Sequence, residues 1–297
     1  MKAAPLPRID LLVPDKWGDY ELLDSGDGAK LERFGPSRLA RPESGAFWRR
    51  SLPATEWAAA DATFNTADEE GAGRWDFRHP MDATWTMRYG GLRFSVHPTP
   101  FRHVGLFPEQ AVQWDWASNL IRAAQRPVKV LNLFGYTGLA SLAAAEAGAA
   151  VTHVDASPKS IEWARENQRL SGLADRPIRW LVDDALKFAR REARRETRYD
   201  GLIIDPPKFG RGPKGEVWKL AESLPALLEA CRAVLTEKPR FIIMTVYAIR
   251  ASSVGLQYLL EPMVEGLGGR IEAGEMGLVE RDRGRVLSTA IYARWTA

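Results

Sequence analysis

Val130-Leu-Asn-Leu-Phe-Gly-Tyr-Thr-Gly138 is the stretch on which the fold turns. An apolar run ends in a turn holding two glycines, and the small and apolar residues that follow to Ala147 suit a helix opened by Thr137 or Gly138. Strand, tight turn and helix in that order make the first unit of an α/β fold. Gly135 and Gly138 allow close approach of backbone to a ligand. Their spacing is Gly-x-x-Gly, not the Gly-x-Gly-x-x-Gly of a dinucleotide pyrophosphate site, which makes an oxidoreductase the weakest enzyme reading.

Downstream, short β-branched runs alternate with longer helical patterns, as in a parallel sheet covered on both faces. Strands are expected at Val128–Phe134, Ala150–Asp155, Ile178–Val182, Tyr199–Asp205 and Pro239–Tyr247. Helices are expected near Thr137–Ala147, Pro158–Ser171, Ala185–Arg195, Ala221–Leu235 and Ser252–Glu265, the second capped by Ser157 and left through Gly172. Two last runs, Arg270–Val279 and Val286–Trp295, flank Glu280-Arg-Asp-Arg-Gly-Arg285, which reads as a hairpin turn. The expectation is five β/α units closed by an antiparallel pair.

Upstream, the first hundred or so residues hold five of the eleven tryptophans, many prolines and glycines, and short alternating runs. They read as a separate, smaller, mostly β domain, residues 1–105, with 106–297 forming the α/β domain. Trp85–Tyr89, Gly90-Gly91 and Leu92–Val96 spell a tight hairpin, and Asp61 to Gly73 reads as an exposed loop. No internal repeat stands out.

Composition narrows the class. The 297 residues suffice for two domains, and one cysteine, Cys231, excludes an internal disulfide framework and fits a reducing, cytoplasmic compartment. Residues 1–10 carry prolines and charges where a secretory signal would carry an apolar core. The weakly polar stretch Val130–Ala145 is too short to span a bilayer. His79, His97, His103 and His153 show no metal-ligand spacing, so no metal is expected. Net charge is only +3, which permits an anionic partner without demanding one.

The chemistry-bearing residues sit at predicted strand ends. Asp155 can hold the hydroxyls of a ribose, and Asp183-Asp184-Ala185 can present a carboxylate to an adenine amino group, although each alone also suits a helix cap. Asp205-Pro206-Pro207-Lys208 follows the fourth strand. Two prolines fix two φ angles and remove two donors, so the carboxylate and an adjacent carbonyl are presented stiffly to a planar amino group. That arrangement points to methyl transfer to nitrogen.

These motifs in this order resemble those of class I S-adenosylmethionine-dependent methyltransferases, over the chain from Phe101 onward. Leu-Asn-Leu-Phe-Gly-Tyr-Thr-Gly and Asp-Pro-Pro-Lys-Phe are most similar to bacterial methyltransferases of large-subunit ribosomal RNA. The resemblance implies a Rossmann-like sheet with an antiparallel C-terminal hairpin, and S-adenosyl-L-methionine as cofactor. It also implies roles: Asn132, Phe134, Gly135 and Gly138 around the methionine moiety, and Asp155 with Ala156 at the ribose. Asp183, Asp184 and Ala185 would lie at the adenine, and Asp205 beside the transferable methyl. Phe101-Arg-His-Val-Gly-Leu-Phe-Pro-Glu-Gln110 resembles a segment covering the cofactor, with Gln110 either in that lid or a first-turn residue of a Pro108–Arg122 helix.

Part of the resembling family methylates carbon through a cysteine after the fifth strand. Thr245-Val246-Tyr247-Ala248 stands there instead, and Cys231 falls on an apolar helical stripe with Leu220, Leu224, Leu227 and Leu228. Nitrogen is therefore the expected acceptor. The aromatic of the amino-methylating motif comes one place late, as Phe209, and either stacks on a base or closes its loop over the core. Lys208, Arg211, Lys214 and Lys219 suggest a mobile basic flap for RNA or else a solvated loop. The Arg190–Arg198 cluster reads as a solvated helix face, and Arg33, Arg38, Arg41, Arg49 and Arg50, with Phe34, Phe47 and Trp48, suggest either a nucleic-acid surface on the first domain or aromatics that fill a small β core. The expected function is methylation of a ribosomal RNA base at nitrogen, with Asp205, Pro206, Pro207, Lys208 and Phe209 at the acceptor. The alternatives are a protein or small-molecule acceptor, or an RNA-binding assembly protein without turnover. Oligomeric state is open.

Overall fold

In the computed structural model, residues 7–66, 73–247 and 251–297 are described. The chain gathers into two compact units, and neither is continuous in sequence as a cut between 105 and 106 would make it. One comprises Met1–Leu12, Gln110–Met276 and Ala290–Ala297; the other comprises Val13–Glu109 and Gly277–Thr289. Strand pairing explains the exchange of pieces. Ile9–Leu12 pairs in parallel with Arg270–Val279, Ile9 opposite Ala273 and Leu12 opposite Met276, and so belongs to the large sheet. In the opposite sense, Glu280 is 1% exposed and accepts a hydrogen bond from the Ser25 hydroxyl, so the expected turn at 280–285 belongs to the second unit.

The first unit is built on an eight-stranded sheet. Its order is Ile9–Leu12, Arg270–Val279, Val286–Thr296, Phe241–Tyr247, Gly201–Ile204, Lys129–Leu133, Ala150–Asp155 and Ile178–Val182. The last four pair in parallel with their neighbours, Gly201–Ile204 also pairs in parallel with Phe241–Tyr247, and Phe241–Tyr247 runs antiparallel to Val286–Thr296. This is the expected α/β sheet with an antiparallel C-terminal element. Alternation along the buried strands assigns the two faces. Leu131, Leu133, Leu202, Ile204, Ile242 and Met244 pack beneath the Ala185–Arg194, Leu220–Ala233 and Ser253–Val264 helices. Val130, Ile203, Phe241 and Ile243 face the Ala111–Arg122 and Leu139–Glu146 helices. Cys231 is fully buried in the first of these layers. No described helix is long and apolar enough to cross a membrane.

The second unit holds a five-stranded sheet, Tyr20–Gly26, Ala29–Phe34, Ser37–Pro42, Ala62–Thr66 and Gly73–Phe77, and the expected Trp85–Tyr89/Leu92–Val96 hairpin. The reading of Asp61 to Gly73 as a loop is corrected. Ala62–Thr66 and Gly73–Phe77 are paired antiparallel strands, with Phe64 edge-on to Trp75 at 5.3 Å, and residues 67–72 lie outside the described residues. The five arginines singled out in the sequence each have a carboxylate partner: Arg33 has Glu21, Arg38 has Glu56, Arg41 has Glu32, and Arg49 and Arg50 share Asp27. Phe47, expected in the β core, is 90% exposed.

One polar chain is buried inside the first unit. Asn132 Nδ2 donates to Ser141 Oγ at 2.9 Å, and Ser141 Oγ lies 2.9 Å from His153 Nδ1. Burial pushes the His153 imidazole down to about 3. His103, in the second unit, is likewise pushed to about 3 by burial, aided by the charges of Arg41, Arg102 and Lys30. Both are neutral in the fold, whereas an unfolded histidine titrates near ~6.5. As pH falls below ~6.5 the unfolded chain takes up protons that the fold refuses, so stability declines by up to about 1.4 kcal/mol per pH unit for each histidine. Urea unfolding is expected to show a lower stability at pH 5.5 than at pH 7, with a smaller difference in His153→Asn; an undiminished difference would contradict the assignment.

Candidate functional site

Strand register brings the predicted residues into one row. Leu133 pairs with Val154 on one side and Ile204 on the other, and Ile204 pairs with Met244. The next residues, Asp155, Phe134, Asp205 and Thr245, therefore lie at one level on four neighbouring strands, the first three at strand ends and Thr245 two residues before the end of its own. Backbone bonds continue the row: Gly135 N to Val154 O at 3.2 Å, Asp205 N to Leu133 O at 3.4 Å, and Asp183 N to Asp155 O at 3.0 Å. Asp155 and Asp205 stand two strand spacings apart, on the order of 10 Å. This is the carboxyl edge of the sheet, where open α/β sheets bind ligands.

The turn after Leu133 is tightly wound. Phe134 and Tyr136 both take positive φ, +58° and +50°, which costs a side-chain-bearing residue of order 1–2 kcal/mol each. Surrounding contacts hold them there. The Phe134 ring lies 4.8 Å from that of Trp218, and Tyr136 N donates to Asp155 Oδ2 at 2.9 Å. Gly135 has no room for a side chain, because a Cβ would strike the His153 ring beneath it. Gly138 takes φ +85° and lies against Ala164 and Trp180. Asn132, expected around the methionine moiety, is 1% exposed and bonded to Ser141 under this turn.

The carboxylates along the row are differently engaged. Asp155 accepts the Ser157 and Tyr136 backbone N–H groups, and burial raises its carboxyl above the ordinary range against the pull of those two bonds. Asp184 caps the Ala185–Arg194 helix, accepting from Lys187 N at 2.8 Å. Asp183 accepts from the Arg191 guanidinium and from Asp184 N. Ala156 continues the turn after Asp155, and Ala185 is buried at the start of its helix.

At Asp205 three elements converge. Thr245 Oγ1 donates to Asp205 Oδ1 at 2.6 Å, and Gln110 Nε2 donates to Asp205 Oδ2 at 3.1 Å and to Thr245 Oγ1 at 3.0 Å. Gln110 closes the Pro108–Gln110 turn ahead of the Ala111–Arg122 helix, and Thr245 is 1% exposed on its strand. The carboxylate is thus fixed by two donors that reach it from different parts of the chain. Thr245 was legible in the sequence only as the place where a cysteine is missing; its bond partner lies 40 residues away.

The segment after Pro206 corrects an expectation. In place of a mobile flap, Phe209–Arg211 and Val217–Lys219 form an antiparallel ribbon, Phe209 opposite Lys219 and Arg211 opposite Val217. Trp218, 5% exposed, donates from Nε1 to the Pro207 carbonyl at 2.7 Å. Lys187 holds the Glu216 carboxyl down at about 2 and pins the ribbon's turn with a 2.7 Å contact. Phe209 is 55% exposed, so it does not close the loop over the core; Trp218 does.

The edge thus offers a backbone turn and a buried carboxylate at Asp155 that suit an adenosyl group, beside a fixed carboxylate followed by two prolines. The family described as S-adenosylmethionine-dependent methyltransferase matches residues 46–263. The crystal structure of a SAM-dependent methyltransferase from Agrobacterium tumefaciens is 47% identical with a TM-score of 0.93, covering 99% of this chain and 96% of that one. A structure from Streptococcus mutans, 18% identical with a TM-score of 0.71 over 95% of this chain and 76% of that one, shares the fold. Among curated relatives, the ribosomal RNA large subunit methyltransferase K/L of Shewanella sp. (strain ANA-3) is 35% identical over 128 residues, which is 42% of this chain. The match spans only 17% of that relative's length. The chain belongs to the S-adenosylmethionine-dependent methyltransferase family.

Proposed function

We propose that this methyltransferase acts in the cytoplasm on a ribosomal RNA base, at an amino nitrogen. The observation that carries the reading is the Asp205 carboxylate, held by Gln110 and Thr245 one strand away from the Phe134–Gly138 turn. Thr245 donates to one carboxylate oxygen and Gln110 to the other, and a carboxylate so oriented is an acceptor-only group suited to an incoming N–H. The names of the ribosomal RNA methyltransferase relatives support RNA as the acceptor.

S-adenosylmethionine supplies the electrophilic methyl when bound. Asp155 and Ala156 hold its ribose, Asp183, Asp184 and Ala185 lie at its adenine, and Asn132, Phe134, Gly135, Gly138 and Gln110 shape the methionine end. Among these, Asn132 acts from below by bracing the turn through Ser141 and His153. Asp205 accepts the amino proton and, with the Pro206 carbonyl, orients the nitrogen lone pair. Pro207, Lys208 and Phe209 continue the acceptor side. The second unit, Val13–Glu109 with Gly277–Thr289, contributes substrate recognition. A covalent route through cysteine has no suitable residue: Cys231, the chain's one cysteine, is fully buried and burial pushes its thiol up to about 12.

Labelled methyl transfer to extracted ribosomal RNA and to total protein tests the substrate class. Label is expected in RNA, as an N-methylated nucleoside by mass spectrometry, and label confined to protein would overturn the proposal. Thr245→Val removes a hydrogen bond to a charged group, so kcat is expected to fall about ten- to a hundredfold at unchanged S-adenosylmethionine affinity, with Thr245→Ser restoring most of it. Unaltered turnover in Thr245→Val would remove the positioning role. Cys231→Ala is expected to leave methyl transfer intact; a folded but inactive variant would bring covalent carbon methylation back.

A further inference from the structure

The ribbon formed by Phe209–Arg211 and Val217–Lys219 has two unlike faces. Residues alternate across a strand, so Gly210 and Trp218, directly opposed, share the inner face. Trp218 is buried there, against Phe134 and bonded to Pro207. Phe209, Arg211, Val217 and Lys219 share the outer face, and all four are exposed, Phe209 by 55% and Val217 by 54%. Phe209 stands opposite Lys219 and Arg211 opposite Val217. The outer face is therefore a checkerboard, with two apolar side chains on one diagonal and two cations on the other.

We infer that this face docks a single-stranded nucleotide neighbouring the acceptor base, with a base stacked on Phe209 and the flanking phosphates on Arg211 and Lys219. This deepens the RNA reading above and rests on it. An exposed aromatic beside cations suits an unpaired base and its backbone, since every base has a face to stack and a duplex hides those faces. Charge distribution agrees. Residues 208–219 carry Lys208, Arg211, Lys214 and Lys219 against Glu216 alone, an excess of three that equals the net charge of the whole chain. Lys219 is bridged to Glu222 at 3.0 Å, an exposed pair of the kind that contributes little and yields to a phosphate. The platform is also rigidly indexed to the site. Trp218 ties it to Pro207 of the acceptor segment and to Phe134 of the glycine turn, and Leu220 N bonds the Lys208 carbonyl at 3.0 Å. A preorganised face loses little conformational freedom on binding.

The test uses the full chain and a fluorescent single-stranded oligoribonucleotide, followed by anisotropy at several salt concentrations, with the matching duplex and an acidic peptide as competitors. Phe209→Ala is expected to weaken single-strand binding about five- to a hundredfold. Arg211→Gln with Lys219→Gln should lower the salt slope by about 1.4, some 0.7 per cation. Retained S-adenosylmethionine binding by calorimetry confirms that each variant folds. Unchanged single-strand affinity in Phe209→Ala, a duplex bound more tightly than the strand, or a peptide whose binding depends on Phe209 would each overturn the inference. If the wild-type chain methylates ribosomal RNA while Phe209→Ala binds the strand normally, the platform fails and the RNA reading stands. If the wild-type chain methylates no RNA, the RNA reading fails first, and the platform inference falls with it.

Discussion

Leu133 is held between Val154 and Ile204, and this shared register is the constraint on which the site depends. Parallel strands that start at one level and run the same length must end at one level. That level carries the site: Phe134 with positive φ, Asp155 accepting two backbone N–H groups, and Asp205 held by the Gln110 and Thr245 side chains. A slip of one residue in any of these strands would turn its side chains to the other face and empty the inner layer of Leu131, Leu133, Leu202 and Ile204. Packing and site geometry are therefore the same restraint seen from two sides.

Several buried polar groups pair with one another, as the cost of leaving such groups unpaired favours. Thr245, Gln110 and Asp205 satisfy one another, Asn132 and His153 meet at Ser141, and Asp24 in the second unit gathers the Ser51 and Leu52 N–H groups and the Trp57 indole. Glu32 there takes Arg41 from both oxygens together with the Tyr20 hydroxyl. Of the five arginines that the sequence offered for a polymer, Arg41 is taken up in a buried pair with Glu32, while the others have carboxylate partners nearer the surface. On the ribbon, Phe209 shares one exposed face with Arg211 and Lys219, which gives it weight in substrate recognition.

Much of this was legible from residues alone. Hydrophobic period and turn residues located the five parallel strands of the site to within two residues, because a strand buried on both faces must be a short apolar run bounded by polar or glycine positions. The order of Gly135, Gly138, Asp155, Asp184 and Asp205 marked the strand ends in the same way. The failures share a cause. Ile9–Leu12 is a four-residue strand whose partner lies more than 260 residues on, and Ala62–Thr66 is a five-residue strand that takes its place by pairing with Gly73–Phe77. Neither carries its reason within its own segment.

The sequence by itself determined the alternation of strand and helix, the glycine turn, and the stiff Asp205-Pro206-Pro207 step, since each follows from local sterics and the period of apolar residues. Tertiary structure alone decided which groups meet: Gln110 and Thr245 on Asp205, His153 under Gly135, Trp218 between Phe134 and Pro207. Those contacts join residues far apart in the chain. Only closure of the sheet and its covering helices brings such groups within hydrogen-bonding or van der Waals range.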